Sequence, residues 1–179
     1  ILDWAGEQTL AERLAQGPIA QDEQLRILSD VAAALAHCHE QGVYHRNLSP
    51  ASIYVSDSGQ AKVGDFDFAK VPTVTKTLAK TGKLLVEGRH VSPEQAFQAS
   101  QIDQRADIYS LGAVWYDMLF RPGPDAVIDR SRIDDAPLRN DGKEILRMML
   151  AESRSQRPQS MMEVREWLDV ISDGRDSRR

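Results

Sequence analysis

The sequence predicts a mainly α fold carrying one small β-hairpin, and three observations lead there. Residues Gln21 to Gln41 place Leu25, Leu28, Val31, Leu35 and Cys38 at three- and four-residue steps, which puts one apolar stripe on a helix. Residues Ala106 to Phe120 carry Ile108, Leu111, Val114, Trp115 and Leu119 on more than one face, the mark of a buried central helix. Two short β-prone runs, Ile53-Tyr54-Val55 and Ala61-Lys62-Val63-Gly64, flank the turn-forming Asp57-Ser58-Gly59-Gln60.

In chain order, Ile1-Leu2-Asp3-Trp4 reads as the end of a strand. Thr9 to Gln16 reads as a short helix with Leu10 and Leu14 on one face and Gly17 as its stop. Gly42 ends the long helix, and Val43 to Ser52 is a loop. Beyond the hairpin, Asp65 to Glu94 lacks periodicity and carries Thr73, Thr75, Thr77 and Thr81. So long an irregular segment in a compact domain serves function or motion rather than packing. Pro122, Pro124 and Pro137 break the pattern between Arg121 and Asn140, leaving room for a short helix at best. Asp141 to Ala151 and Ser160 to Ser172 close the fold as amphipathic helices, with Met148, Met149, Met161 and Met162 as core fillers.

At 179 residues, 41% apolar and 27% charged, the chain has the size and balance of one soluble domain. Its net charge of −5 and scattered basic residues argue against a nucleic-acid surface. Cys38 stands alone, which excludes an internal disulfide and fits a reducing, cytoplasmic setting. No apolar run reaches the ~18 residues that span a bilayer, and no signal peptide opens the chain. The first residue is Ile, inside an apolar run, so the chain is expected to be a piece of a longer polypeptide, with residues 173–179 a polar tail.

The chemistry lies in His45-Arg46-Asn47-Leu48-Ser49-Pro50-Ala51-Ser52, which has the frame of the protein-kinase catalytic loop, H-R-D-L-K-x-x-N. Asp65-Phe66-Asp67 follows 18 positions after Asn47, where that family places D-F-G. Ser92-Pro93-Glu94 resembles its A-P-E, and Asp107 to Gly112 resembles the start of its central helix. Arg157-Pro158 resembles the late arginine that pairs with the A-P-E glutamate. Each motif is moderately specific; five in order and spacing are strong. From Asp3 to about Ile171 the chain resembles the helical C-lobe of a eukaryotic-like, bacterial-style Ser/Thr protein kinase.

That resemblance implies a hinge-like start at 1–5 and a C-lobe at 6–172. Within the lobe it implies a catalytic-loop frame at 45–52, an activation segment at 65–94 and a central helix at 106–120. It also implies an N-lobe, expected to precede Ile1, since these residues hold no G-x-G-x-x-G and no V-A-I-K-like lysine. In the family the loop Asp accepts the substrate hydroxyl proton and the loop Asn holds a second magnesium ion. Here those positions read Asn47 and Ser52, and the Lys position reads Ser49. A carboxamide has no basic lone pair with which to act as a general base near neutral pH. Glu87 stands where a Thr usually contacts the catalytic Asp and Lys.

Carried over residue by residue, the resemblance makes Asn47 and Ser49 degenerate catalytic positions. It places Asp3, Ala5, Ser52, Tyr54 and Asp65 at the nucleotide site, with Asp65 able to hold one magnesium ion. It gives His45, Arg46, Phe66, Glu94, Asp107 and Arg157 structural duties, with His45 packed on Phe66 and Glu94–Arg157 a buried bidentate pair. Arg46 is the family's receiver of a phosphorylated activation-loop residue, although solvated loop threonines are the simpler reading of Thr73 to Thr81. Tyr54 replaces an aliphatic side chain beneath the adenine, where it either stacks on the base or fills the pocket. Asp67 replaces a flexible Gly and adds charge beside the phosphates. His37 and His39 lie two apart and share no helix face, which argues against a metal site. Ser49 and Ser52 lack the G-x-S-x-G turn of a hydrolase nucleophile.

The replaced positions are thus chemical and the kept ones structural. The leading reading is a pseudokinase acting as scaffold or allosteric module, with protein partners on the activation segment and residues 121–140. Two alternatives stand beside it: an atypical, slow Ser/Thr kinase using ATP and one magnesium ion, and an ATP-sensing switch without transfer. ATP and magnesium are expected only with an N-lobe in place, and no cofactor for this segment alone.

Overall fold

The computed structural model describes residues 8–66, 88–97 and 102–174. The elements run β1 (Gln8–Thr9), α1 (Leu10–Gln16), α2 (Gln21–Glu40), β2 (Ile53–Val55), β3 (Ala61–Val63), α3 (Pro93–Phe97), α4 (Arg105–Phe120), α5 (Asn140–Met149) and α6 (Met161–Ser172). Short 3-10 turns occupy Pro50–Ser52, Arg130–Asp135 and Arg154–Gln156. The mainly α fold with its small antiparallel sheet is the one the sequence predicts.

Helix α4 is the axis of the core. Ala106 to Met118 are buried without interruption, Trp115 and Tyr116 being the largest side chains enclosed. α2 packs on α4, α6 and β3, and α5 closes against α4 and α6. Close approach is possible at Gly112, where a Cβ would come within 2.9 Å of the Met149 Cβ. Two carboxylates, Asp107 and Asp117, lie on this otherwise apolar helix and are buried with it. A buried charge must be paired or richly hydrogen-bonded, so both point to long-range anchors.

Thr9 starts α1 with a capping box: its hydroxyl accepts from the Glu12 N–H at 3.2 Å, and its own N–H donates to the Glu12 carboxylate at 2.7 Å. The sheet is antiparallel in the order β1-β2-β3, with Thr9 opposite Tyr54 and Tyr54 opposite Lys62. The hairpin therefore has a third strand, β1, which at two residues is too short to show any alternation in the sequence.

Helix α3 starts at Pro93, inside the stretch expected to stay irregular through Glu94, because proline's fixed φ suits a first helical turn. Between 121 and 140 the regular structure is the 3-10 turn Arg130–Asp135, capped by Asp129, whose carboxylate accepts from the Ser131 N–H at 3.0 Å. Met149 and Met161 fill the core, but Met162 is 41% exposed, so the methionine pairs divide between core and surface. Several expectations lie outside the described residues: the strand end at Ile1–Trp4, Asp3, Ala5, Asp67, the four threonines, Glu87 and the end of the tail. Among the described residues no helix is long and apolar enough to cross a membrane.

Candidate functional site: a kinase-like loop with replaced chemistry

The loop from His45 to Ser52 is held from below by one carboxylate. Asp107 is fully buried and accepts from the His45 N–H at 2.8 Å, the Arg46 N–H at 2.7 Å and the His39 Nε2 at 2.8 Å. Arg46 sits at φ 65°, in left-handed backbone that costs an L-residue about 1–2 kcal/mol. The charge-assisted bonds to Asp107 offset that cost. On the other side, the Gln95 amide donates to the Arg46 carbonyl at 2.6 Å, while Gln95 Oε1 accepts from the N–H and hydroxyl of Ser92. The loop thus hangs between α4 and α3.

His45 is fully occupied in structure. Its Nε2 donates to the Gly64 carbonyl at 2.8 Å, its Nδ1 accepts from the Asn47 N–H at 3.3 Å, and its ring lies 4.6 Å from that of Phe66. Both nitrogens being used, the imidazole has no free lone pair for proton transfer. Asn47 follows where the family has its general base. Ser52 Oγ donates to the Ser49 carbonyl at 3.0 Å and accepts from the Ser49 N–H at 3.1 Å, so its hydroxyl closes the 3-10 turn.

Asp65, at φ 58°, is exposed just past β3. The Tyr54 phenol donates to its Oδ2 at 3.1 Å, and that hydrogen bond first, with some burial, pushes the phenol above its usual range. The Tyr54 ring lies over Gly64, where a Cβ would meet Cε2 at 2.8 Å. The donor set does not fit the two-ion arrangement of the family. Asp65 is one carboxylate, already hydrogen-bonded, and Ser52 serves the loop. Among the described residues no group of three His, Cys, Asp or Glu side chains is placed to hold a metal ion.

Two anchors fix the segment after the cleft. Arg157 donates to both oxygens of Glu94 at 2.7 and 2.8 Å, the bidentate pair the sequence predicts. Burial pushes the Glu94 carboxyl up, but its hydrogen bonds to Arg157, its own N–H and the Arg157 charge outweigh this and hold it below the usual carboxylate value. The second anchor was not foreseen. Asp117 accepts from Arg89 Nε at 2.7 Å and His90 Nε2 at 2.8 Å, and Arg89 NH1 also donates to the carbonyls of Gly123, Pro124 and Ala126. An aspartate within a buried helix was the available signal. His39 and Gln95 were missed for want of any such signal.

Between α1, residues 46–51, residues 89–91 and residues 121–124 runs a groove of about 700 Å³, which Asn47 and Ser49 line. The structure therefore joins the two degenerate positions to one surface, with Asp65 and Tyr54 forming a separate cluster.

Catalytic-loop frame, central-helix carboxylate and glutamate–arginine clamp together define a protein-kinase-like lobe. Residues 1–171 match the protein kinase domain family, and the chain belongs to that family, of the bacterial Ser/Thr type. Similar proteins include the serine/threonine-protein kinase PknB of Mycobacterium leprae, 31% identical over 120 residues, 66% of this chain and 19% of that protein. A probable PknB of Lactococcus lactis is 32% identical over the same shares. The PknB of Mycolicibacterium smegmatis is 36% identical over 104 residues, 58% of this chain and 16% of that protein. The chain spans less than a fifth of the length of these relatives.

Proposed function

We propose that this chain is the larger-lobe part of a pseudokinase, a kinase-family domain that works by binding proteins, as scaffold or allosteric partner, with little or no phosphoryl transfer. Asn47 carries the proposal. It stands at the general-base position of a loop whose backbone is otherwise held as such a loop requires, by Asp107 below and Gln95 above. Ser49 and Ser52 at the neighbouring positions extend the pattern, and the Tyr54–Asp65 hydrogen bond engages the remaining carboxylate. Glu94, Asp107 and Arg157 meanwhile keep their structural contacts. Protein partners would meet the activation segment and residues 121–140, in a cytoplasmic setting.

One observation favours a second reading. Asp65 is exposed, and a carboxylate so placed is available to one hard cation once the phenol releases it. An atypical slow kinase or an ATP-sensing switch rests on that. The discriminating experiment follows labelled γ-phosphate in the full-length protein with magnesium or manganese, beside an Asp65→Ala control. No transfer above the control supports the binding module. Transfer that the control abolishes makes the protein a kinase.

A further inference from the structure

We propose that the hollow between α5 and α6 is a docking site for an arginine side chain of a partner protein, carried on an otherwise apolar segment. The inference goes beyond the function proposed above and holds whether or not the chain transfers phosphate. The hollow shares no residue with the groove beside the catalytic-loop frame.

Shape is the first argument. The hollow measures about 190 Å³, while sites for small molecules run to about 300–1,000 Å³. One long side chain fits it and a cofactor-sized molecule does not. Its floor is apolar. Ile145 and Ile171 are buried, and Met148, Trp167 and Val170 are half-buried, so part of their surface stays open. Such a floor suits the methylene stem of a long charged side chain.

The second argument is charge. Asp141 and Glu144 line the hollow, and among the described residues no lysine or arginine does. The cations of the two helices turn elsewhere. Lys143 Nζ donates to the Asp134 carbonyl at 2.6 Å, Arg147 pairs with the Asp134 carboxylate, and Arg165 Nε stands 4.0 Å from Asp169. Asp141 accepts from the Gly142 N–H at 2.9 Å, and Arg139 NH2 stands 3.1 Å from its other oxygen. Glu144 is exposed and is paired with no cation among the described residues. The lining therefore keeps a carboxylate unspent, and such a site selects the opposite sign.

The third argument decides which cation. Trp167 lines the hollow beside these carboxylates, and an indole is the best aromatic partner for a cation. A guanidinium is planar, stacks on such a ring and forks onto a carboxylate, whereas an ammonium is compact and strongly hydrated. Indole, carboxylate and apolar floor together select arginine over lysine.

The test uses the full-length protein and three labelled short peptides on one Leu and Ala scaffold, carrying Arg, Lys or Gln. Fluorescence anisotropy at low and high salt reads binding. The Arg peptide is expected to bind about tenfold more tightly than the Gln peptide at low salt, with the Lys peptide between them. High salt should narrow the gap. Glu144→Lys should weaken the Arg peptide about tenfold and Glu144→Gln about threefold, with the Gln peptide unmoved by either. Glu144 is exposed, so both variants should fold. Trp167→Leu keeps an apolar floor without the ring and should cost the Arg peptide about threefold more than the Gln peptide; circular dichroism checks its folding. Arg121→Gln, in the other groove, should change nothing. Equal binding of all three peptides, no binding, undiminished binding to Glu144→Lys, or loss of binding in Arg121→Gln would overturn the proposal. So would binding that appears only after Arg175, Arg178 and Arg179 are each replaced by Gln, since this chain's own arginines would then hold the hollow. None of these readouts depends on phosphate transfer, so the pseudokinase reading stands or falls apart from them.

Discussion

Replacing Arg157 by alanine removes the cation that ties the segment after the cleft to the helical body. The buried guanidinium donates to both Glu94 oxygens at 2.7 and 2.8 Å and to the carbonyls of Ala151, Arg105 and Glu152 at 2.8, 2.9 and 3.0 Å. It also stands 5.0 Å from the centre of the Tyr109 ring. Deleting one partner of a buried pair costs about 3–5 kcal/mol, because the other charge stays behind without compensation. Three carbonyls lose a donor as well, each worth about 1 kcal/mol where water cannot follow. A total of about 6–8 kcal/mol is therefore expected, a large share of the ~5–15 kcal/mol that holds a domain.

Urea unfolding read by far-ultraviolet circular dichroism should show the midpoint falling with the slope unchanged. Glu94→Gln keeps the shape and one acceptor and should cost about half as much. Its deficit should also depend on pH. A carboxyl held below its unfolded value of about 4.3 contributes stability above that value and loses it as pH falls through the folded one. The gap between wild type and Glu94→Gln should therefore close on acidification below about pH 4. A loss under about 1 kcal/mol for Arg157→Ala would refute the reasoning, since the clamp would then carry no more than an exposed pair.

Asp107→Asn replaces one carboxylate oxygen by an amide NH₂, which must then face either the Arg46 N–H or the His45 N–H and the His39 ring, and should lower stability by about 3 kcal/mol in the same urea titration. Gly112→Ala drives a Cβ to 2.9 Å from the Met149 Cβ, an atom fixed to its backbone. Overpacking should exceed the helix-propensity gain and leave a net loss of about 1–2 kcal/mol, read as a lower Tm. The Tyr54 phenol should ionise above the usual tyrosine range because it donates to Asp65. Asp65→Asn should move that titration down, which ultraviolet difference spectra against pH would detect.

The parts of the molecule that were legible in the sequence are those with a repeating or local signature. The long helix, the central helix and the hairpin followed from apolar spacing and one turn. The His45–Phe66 ring contact and the Glu94–Arg157 clamp followed from the motif frame, and both are present. Strand β1 was invisible because two residues carry no period, and its pairing with β2 depends on contacts more than forty positions apart. The anchors of Asp117 and the bridge from Gln95 to Arg46 were hidden for the same reason. They join residues far apart in the chain, and a sequence shows that a buried aspartate needs partners without showing which. The pairing of Tyr54 with Asp65 arises because β2 and β3 are neighbours, which brings residues 11 positions apart to one edge of the sheet.

The central claim is that transfer has been lost at the catalytic-loop positions. Labelled γ-phosphate transfer should be measured side by side in the full-length wild type, in Asp65→Ala, and in the triple variant Asn47→Asp, Ser49→Lys, Ser52→Asn. A restored general base is worth about 10²–10⁴-fold in rate. The account predicts wild type indistinguishable from Asp65→Ala, with transfer rising above both only in the triple variant. Transfer by the wild type that Asp65→Ala abolishes would contradict it.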